Sequence, residues 1–164
     1  MDDPAVDLVE LEKALGYAHR SLARREQTVS EIHARLERRE LSPATIDAAL
    51  TELRETGMLD DARFARRFAA DKRELDQWGT RRIVTELERR GVGREEIAAL
   101  AGESGRSDEL ETALVLLGRR WPVPPQDDRE RDRAWRLLVR RGYEPELAYA
   151  AVREHERSGA PGPA

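Results

Sequence analysis

One short motif occurs three times in this chain: Leu36-Glu37-Arg38-Arg39-Glu40-Leu41, Leu87-Glu88-Arg89-Arg90-Gly91-Val92 and Leu138-Val139-Arg140-Arg141-Gly142-Tyr143. Successive copies lie 51 residues apart and align without gaps. The flanking positions match as well: Ile32, Ile83 and Ala134 before the motif, and Ile46, Ile97 and Ala148 after it. Self-similarity at a fixed spacing of this length is typical of repeat proteins. The sequence therefore predicts three copies of one structural unit.

Composition favours helices in every copy. The 164 residues are 39% hydrophobic, 5% aromatic and 38% charged. Ala, Glu, Lys, Leu and Arg supply 91 residues, more than half of the chain, which is typical of helical arrays. An all-β fold is thereby excluded. A single long coiled coil is excluded as well, because helix breakers interrupt any heptad register: Gly57, Gly79, Gly91, Gly105, Pro122 and Gly142.

Each copy carries the signals of three helices. In the first copy, a helix is predicted over Asp7–Glu26, a capping box begins the next at Thr28, and Ser42-Pro43 begins the third. We predict an all-α fold of three tandem three-helix, helix-turn-helix-like repeats in an elongated array. The predicted borders are 1–57 for repeat 1 with a short acidic N-terminal tail, 58–104 for repeat 2, 105–157 for repeat 3 and 158–164 for a disordered tail.

Several protein classes are excluded by what the sequence lacks. No apolar run approaches the ~20 residues of a membrane span, so no membrane association is expected. The start, Met1-Asp2-Asp3-Pro4, is acidic where a secretory signal would be basic. Without cysteine there is neither a disulfide framework nor a thiolate metal site. A cytoplasmic protein is expected.

Arginine is concentrated in two stretches of an acidic chain. The net charge is −4 overall, but residues 63–90 and residues 119–141 each carry +4, whereas residues 1–60 carry −5. The arginine pairs Arg38-Arg39, Arg89-Arg90 and Arg140-Arg141 recur at the end of the second helix of each copy. They either complement the helix dipole and bond free carbonyls, or bind phosphates or an acidic protein surface. The candidate binding residues are Arg66, Arg67, Arg81, Arg82, Arg89, Arg90, Arg140 and Arg141.

No catalytic or metal-binding constellation is present in the sequence. His19, His33 and His155 are scattered without metal-ligand spacing, and no phosphate-binding glycine loop or nucleophile elbow occurs. Asp60-Asp61 lies where acidic residues stabilise a helix N-terminus, which we favour over catalysis. We therefore predict a protein that is not an enzyme and uses no cofactor.

The centre of the chain resembles a known family. The run Gly57-Met58-Leu59-Asp60-Asp61-Ala62-Arg63-Phe64-Ala65 is similar to the motif G-x-L-[DN]-D-x-x-[FY]-A of the RecX regulatory proteins. Gly79-Thr80-Arg81-Arg82-Ile83 and the second and third copies of the repeated motif follow in the family's order. The matching motif residues are Gly57, Leu59, Asp60, Asp61, Phe64, Ala65, Gly91, Gly142 and Tyr143. The sequence departs from the family at Glu40, where the other copies have glycine, and at Thr80, where proline is frequent.

The resemblance implies a regulator of the RecA recombinase in bacterial recombination and repair. RecX-like proteins bind the recombinase and its filament on single-stranded DNA, and inhibit its ATPase and strand-exchange activities. Single-stranded DNA is a further candidate partner, and a monomer is expected. Two alternatives stay open: a tandem helix-turn-helix transcription regulator that binds duplex DNA, against which the net charge of −4 counts, and a structural helical adaptor.

Overall fold

The computed structural model describes residues 6–103 and 105–159. These residues form nine α-helices and no strand, which confirms the predicted all-α fold. In chain order the helices are α1 (Leu8–Leu22), α2 (Val29–Glu37), α3 (Pro43–Glu55), α4 (Asp61–Asp76), α5 (Thr80–Arg89), α6 (Arg94–Glu103), α7 (Arg106–Arg120), α8 (Asp128–Arg140) and α9 (Pro145–Gly159).

The helix starts follow the local signals in the sequence. At α2 the capping box is complete: the Thr28 hydroxyl accepts from the Glu31 N–H, and the Glu31 carboxylate accepts from the Thr28 N–H, both at 3.1 Å. Ser42 caps α3 by accepting from the Thr45 N–H at 3.2 Å, with Pro43 as the first helical residue. Side-chain oxygens at these positions satisfy N–H groups that have no partner within the helix.

Two chain segments differ from the sequence expectation. The first helix ends at Leu22 instead of continuing to Glu26, because the buried Gln27 side chain turns back and donates to the Ser21 hydroxyl at 2.8 Å. At the other end of the chain, Ser158 and Gly159 are the last residues of α9. The other residues of the predicted tail, 160–164, lie outside the described residues.

The chain divides into two compact units. Unit 1 comprises residues 6–66 together with Leu87–Ile97, and unit 2 comprises Arg67–Glu86 together with residues 98–103 and 105–159. Helices of the second repeat therefore contribute to both units. This division reflects contacts that residues of the second repeat make with the first repeat in unit 1 and with the third repeat in unit 2.

Each unit has its own core of small and branched side chains. In unit 1, α1, α2 and α3 pack around Ala14, Ala18, Ile32, Leu36, Ile46, Ala49, Leu50, Leu53 and Leu59. In unit 2, α7, α8 and α9 pack around Ala113, Leu116, Leu117, Ala134, Leu138, Tyr143, Leu147, Ala148, Ala151 and Val152. Seven of these core residues are alanines, whose small side chains let the packed helices approach closely.

Candidate interaction surface

In unit 1, the end of α5 packs on the start of α2. The Thr28 hydroxyl donates to the carbonyl oxygen of Arg90 at 2.7 Å. Gly91 follows with φ +78, a left-handed conformation that favours glycine. A Cβ atom on Gly91 would lie 2.4 Å from the Ser30 Cβ. Glycine is therefore required here both by the backbone conformation and by the close approach of α2.

The same contact recurs in unit 2, between the start of α5 and the end of α8. The Gly79 N–H donates to the carbonyl oxygen of Arg141 at 2.9 Å, and the Arg81 N–H donates to that of Gly142 at 3.1 Å. Gly142 has φ +93, and a Cβ there would lie 2.5 Å from the Arg82 backbone nitrogen. Gly79 and Arg141 stand 51 residues after Thr28 and Arg90, so the two contacts are equivalent. We call each contact a joint: Thr28 with Arg90 in unit 1, and Gly79 with Arg141 in unit 2.

The second arginine of each of these two pairs is a structural residue. Arg90 donates from Nε and Nη2 to the two carboxylate oxygens of Glu31, at 3.0 and 2.9 Å, and its guanidinium lies 4.4 Å from the centre of the Phe64 ring. Arg141 donates from Nη1 to the carbonyl oxygen of Asp76 at 2.6 Å. Arg82 occupies the position equivalent to Glu31, so Arg141 bonds a backbone carbonyl instead of that carboxylate.

The first arginine of each pair is exposed: Arg38, Arg89 and Arg140. Arg38 also donates from Nε to the Ala34 carbonyl at 3.0 Å, as expected for a cation at a helix C-terminus. In the second and third copies, the pair thus divides between a residue that holds the joint and a residue that faces solvent. The sequence alone did not separate these two roles, because both arginines occur in every copy.

The other candidate arginines are also at the surface. Arg66 and Arg67 are exposed on α4. Arg81 pairs with Glu144, with 3.3 Å between Nε and Oε1, and more than half of each side chain is exposed. The Arg82 guanidinium lies 4.0 Å from the centre of the half-buried Trp78 ring. In unit 2 the structure thus brings Arg81 and Arg82 to the joint with Arg141.

The motif residues build the turn between α3 and α4 and the two joints. Gly57 has φ +71, and the Leu59 N–H returns to the Leu53 carbonyl at 2.9 Å. Asp60 caps α4 by accepting from the Arg63 N–H at 2.8 Å. Asp61 does more than the helix-dipole role expected from sequence, since its carboxylate accepts from the Val29 N–H at the start of α2, at 2.9 Å. Phe64 and Ala65 are buried.

Burial and ion pairing shift three pKa values at the joints. Burial raises the pKa of Asp61, and the charges of Glu96 and Asp60 act in the same direction against the Val29 hydrogen bond. Burial also favours the neutral form of Glu31, but the hydrogen bonds and charge of Arg90 and the Thr28 N–H bring the pKa of Glu31 below its usual value. Burial raises the pKa of Tyr143, whose hydroxyl donates to the Gln77 carbonyl at 2.9 Å.

Sequence reasoning missed a group of arginines on the first repeat. Arg20, Arg24, Arg35 and Arg39 are all exposed and line a hollow between α1 and α2, together with Tyr17. The spacing of four residues between Arg20 and Arg24, and between Arg35 and Arg39, predicts one helix face for each pair, although Arg24 and Arg39 lie just beyond the ends of α1 and α2. The net charge of −5 over residues 1–60 does not reveal this group, because the acidic residues of this stretch lie elsewhere and none of them lines the hollow.

The described residues contain no group of three or more His, Cys, Asp or Glu side chains able to hold a metal ion. His33 contacts Glu37 with 3.4 Å between Nδ1 and Oε2, and His155 Nε2 lies 2.8 Å from the Trp121 carbonyl oxygen. Over the same part of the chain, no helix combines the length and apolarity needed to cross a membrane.

Fold and surface together define a class of protein: tandem three-helix domains that present arginines from repeated joints. Similarity to known proteins narrows the class. Family models match each domain, described as the first three-helix domain of RecX at residues 14–53, the second at 60–100 and the third at 107–152. The chain belongs to the RecX family of non-enzymatic regulatory proteins.

Individual relatives cover most of the chain. Regulatory protein RecX of Deinococcus radiodurans is 34% identical over 87% of this chain and 68% of its own length. The RecX protein of Chromohalobacter salexigens is 37% identical over 77% of this chain and 82% of its own length. The crystal structure of RecX from Lactobacillus salivarius has the same fold, with a TM-score of 0.81 at 14% identity over 90% of this chain and 97% of that one.

Proposed function

We propose that this chain binds a RecA-type recombinase and its filament on single-stranded DNA, and that it inhibits ATP hydrolysis and strand exchange. In this role it modulates homologous recombination and DNA repair in the cytoplasm. The observation that carries the proposal is the match of all three domains, in order, to the RecX domains. The relatives are named regulatory proteins, and an inhibitor of another enzyme needs no catalytic site of its own.

The exposed arginines are the proposed contact surface. Arg89 and Arg140 occupy the same position in the second and third repeats, each next to a joint that fixes the adjoining backbone. Arg66, Arg67, Arg81 and Arg82 add positive charge in the second repeat. A repeated cation suits a filament, which repeats its own surface from protomer to protomer. Several weak charge-assisted contacts gain affinity when they are linked in one chain.

Arg90 and Arg141 have a different proposed role. Their guanidinium groups hold the joints through Glu31 and the Asp76 carbonyl. Replacement of either residue therefore changes stability as well as surface charge. Tests of the contact surface are cleaner when they leave both residues in place.

The test is ATP hydrolysis by a RecA-type recombinase on single-stranded DNA, measured while this protein is added. Suppression at substoichiometric amounts is expected, because one regulator bound to a filament affects many protomers. A simple competitor for DNA needs stoichiometric coverage. Unchanged hydrolysis in the presence of a several-fold excess of folded protein would contradict the proposal, and would direct attention to duplex DNA as the partner.

A further inference from the structure

Two adjoining hollows in unit 1 are lined by arginine. The first, between α1 and α2, has a volume of about 140 Å³ and is lined by Arg20, Arg24, Arg35 and Arg39. The second, between α2 and the end of α5, has a volume of about 320 Å³ and is lined by Arg25, Arg35, Arg38, Arg89 and Arg90. Arg35 lines both, so the two hollows form one arginine track.

The track has a strong excess of positive charge. Glu31 is the one acidic residue among those that line the two hollows, and Arg90 already holds both of its carboxylate oxygens. Six of the lining arginines are exposed and come from the first repeat: Arg20, Arg24, Arg25, Arg35, Arg38 and Arg39. Like charges that line the same hollow repel one another, which favours binding of an anion that neutralises them.

An aromatic ring orients part of the track. The Arg39 guanidinium lies 3.5 Å from the centre of the half-buried Tyr17 ring, and that of Arg20 lies 5.0 Å from it. Stacking on the ring restricts the planar guanidinium while its N–H groups stay available at the edge. A restricted fork of donors loses less conformational entropy when it binds the paired oxygens of a phosphate.

We propose that the arginine track binds the phosphodiester backbone of a single-stranded nucleic acid. A lone phosphate fills one hollow, whereas a strand carries a charge at every nucleotide and reaches both hollows at once. The arginines that line the hollows come from several short segments: Arg20 on α1, Arg24 and Arg25 between α1 and α2, Arg35 on α2, Arg38 and Arg39 just after α2, and Arg89 and Arg90 at the end of α5. A flexible strand can bend into such a track, whereas a duplex reader projects side chains from one helix into a groove.

The site is separable from the proposed recombinase surface. Arg89 belongs to both, but Arg24, Arg35 and Arg39 belong to the track alone. A binding measurement on the isolated full chain, without recombinase, therefore tests the track whether or not the recombinase proposal holds.

The experiment is fluorescence anisotropy of a labelled oligothymidylate of about 20 nucleotides, titrated with the full chain over a range of salt concentrations. The variant R35E/R39E is compared with R129E/R133E, which makes the same change of net charge at exposed arginines of α8, also four residues apart. A second track variant, R24E/R35E, leaves the Arg39–Tyr17 stacking intact. Circular dichroism melting establishes that each variant is folded.

The track predicts binding by the unmodified chain and a loss of about tenfold or more in affinity for both track variants. The slope of log affinity against log salt also becomes shallower by about 0.7 for each phosphate that a variant no longer neutralises. The α8 variant retains most of the binding. Equal losses in track and α8 variants, or no binding by the unmodified chain at low salt, would overturn the proposal. Equally tight binding of duplex DNA, or equal competition by polyglutamate, would overturn the assignment to single strands.

Discussion

The Gly79 N–H donates a hydrogen bond to the carbonyl oxygen of Arg141, with 2.9 Å between nitrogen and oxygen. The equivalent bond in unit 1 runs from the Thr28 hydroxyl to the Arg90 carbonyl at 2.7 Å. A side-chain donor in one joint is thus replaced by a backbone donor in the other. The two accepting carbonyls are equivalent, because Arg90 and Arg141 each follow the second helix of their repeat.

Alanine substitutions at Gly57 and at the joint residue Gly142 distinguish the cost of backbone strain from the cost of steric overlap. Gly57 and Gly142 both have positive φ, but a Cβ on Gly57 meets nothing within 4 Å, whereas one on Gly142 meets the Arg82 backbone. We expect Gly57→Ala to lower the free energy of unfolding by about 1 kcal/mol. Gly142→Ala should cost about 2 kcal/mol more, because the backbone must shift. Urea denaturation measures both, and equal losses would contradict the close approach.

Glu40 is strained where its counterparts are glycines. It has φ +58, and the equivalent Gly91 and Gly142 have φ +78 and +93, so all three lie in the left-handed region. No earlier repeat requires a close approach at this position, so a side chain is tolerated at the cost of strain. We expect Glu40→Gly to raise the free energy of unfolding by about 0.5 kcal/mol, the strain relieved minus the greater freedom of unfolded glycine. Thermal melting beside the unmodified chain is the measurement, and a lower melting temperature would show that the backbone of Glu40 is not strained.

The Tyr143 hydroxyl satisfies a carbonyl within unit 2. Tyr143 is fully buried, and its partner Gln77 is buried with φ +48. Tyr143→Phe leaves that carbonyl without its donor and should cost about 1–2 kcal/mol of unfolding free energy. Tyr149 is 62% exposed, so Tyr149→Phe is the matched control and should leave stability unchanged. The same stability for both variants would show that the hydrogen bond contributes nothing.

The Glu31–Arg90 ion pair makes stability depend on pH. Because the pKa of Glu31 is lowered in the folded protein, its contribution is present above the ordinary carboxyl pKa of 4.5 and is lost as pH falls through the lowered value. Glu31→Gln should therefore reduce stability at neutral pH and flatten the loss of stability in acid. Urea denaturation at a series of pH values tests this, and an unchanged acid slope would contradict it.

The contribution of Asp61 to stability depends on pH in the opposite direction from that of Glu31. Its pKa is raised by burial, so its contribution is present below the ordinary value of 3.8 and is lost as pH rises through the raised value. Asp61→Asn keeps an oxygen for the Val29 N–H without a buried charge, and should leave stability at neutral pH unchanged or higher. Asp61→Ala, which removes the acceptor, should be destabilising. Urea denaturation at neutral pH compares the two, and if they were equally unstable, the hydrogen bond to Val29 could not be the reason.

The fold could be predicted from the sequence, because the repeat sets the order of the helices and local capping signals set where the helices start. Thr28, Ser42 and Pro43 act through neighbours two or three residues away, so their roles follow from spacing. The contacts of the candidate surface residues could be predicted less well. Asp61 serves a helix that begins 32 residues earlier, and Arg90 pairs with a carboxylate 59 residues away, contacts that only the packed structure brings together.

Net charge is a poor guide to the basic surface of this chain. The acidic first repeat contains the arginine track, because the side chains of Arg24, Arg35 and Arg39 converge on one hollow although acidic residues separate them in sequence. Summing charges along a chain discards the direction in which side chains point. The spacing of these arginines indicates the direction in which their side chains point. That direction identifies a shared hollow only when the packing of α1 against α2 is known.

We propose that the exposed arginine of the repeated pair contacts the recombinase in the second and third repeats, while its neighbour holds the joint. The most direct test is recombinase ATP hydrolysis on single-stranded DNA with the variant R89E/R140E. Its control, R94E/R106E, makes the same change of net charge at exposed first residues of α6 and α7. We predict that R89E/R140E stays folded and loses inhibition, whereas the control inhibits as the unmodified chain does. Full inhibition by folded R89E/R140E would contradict the claim.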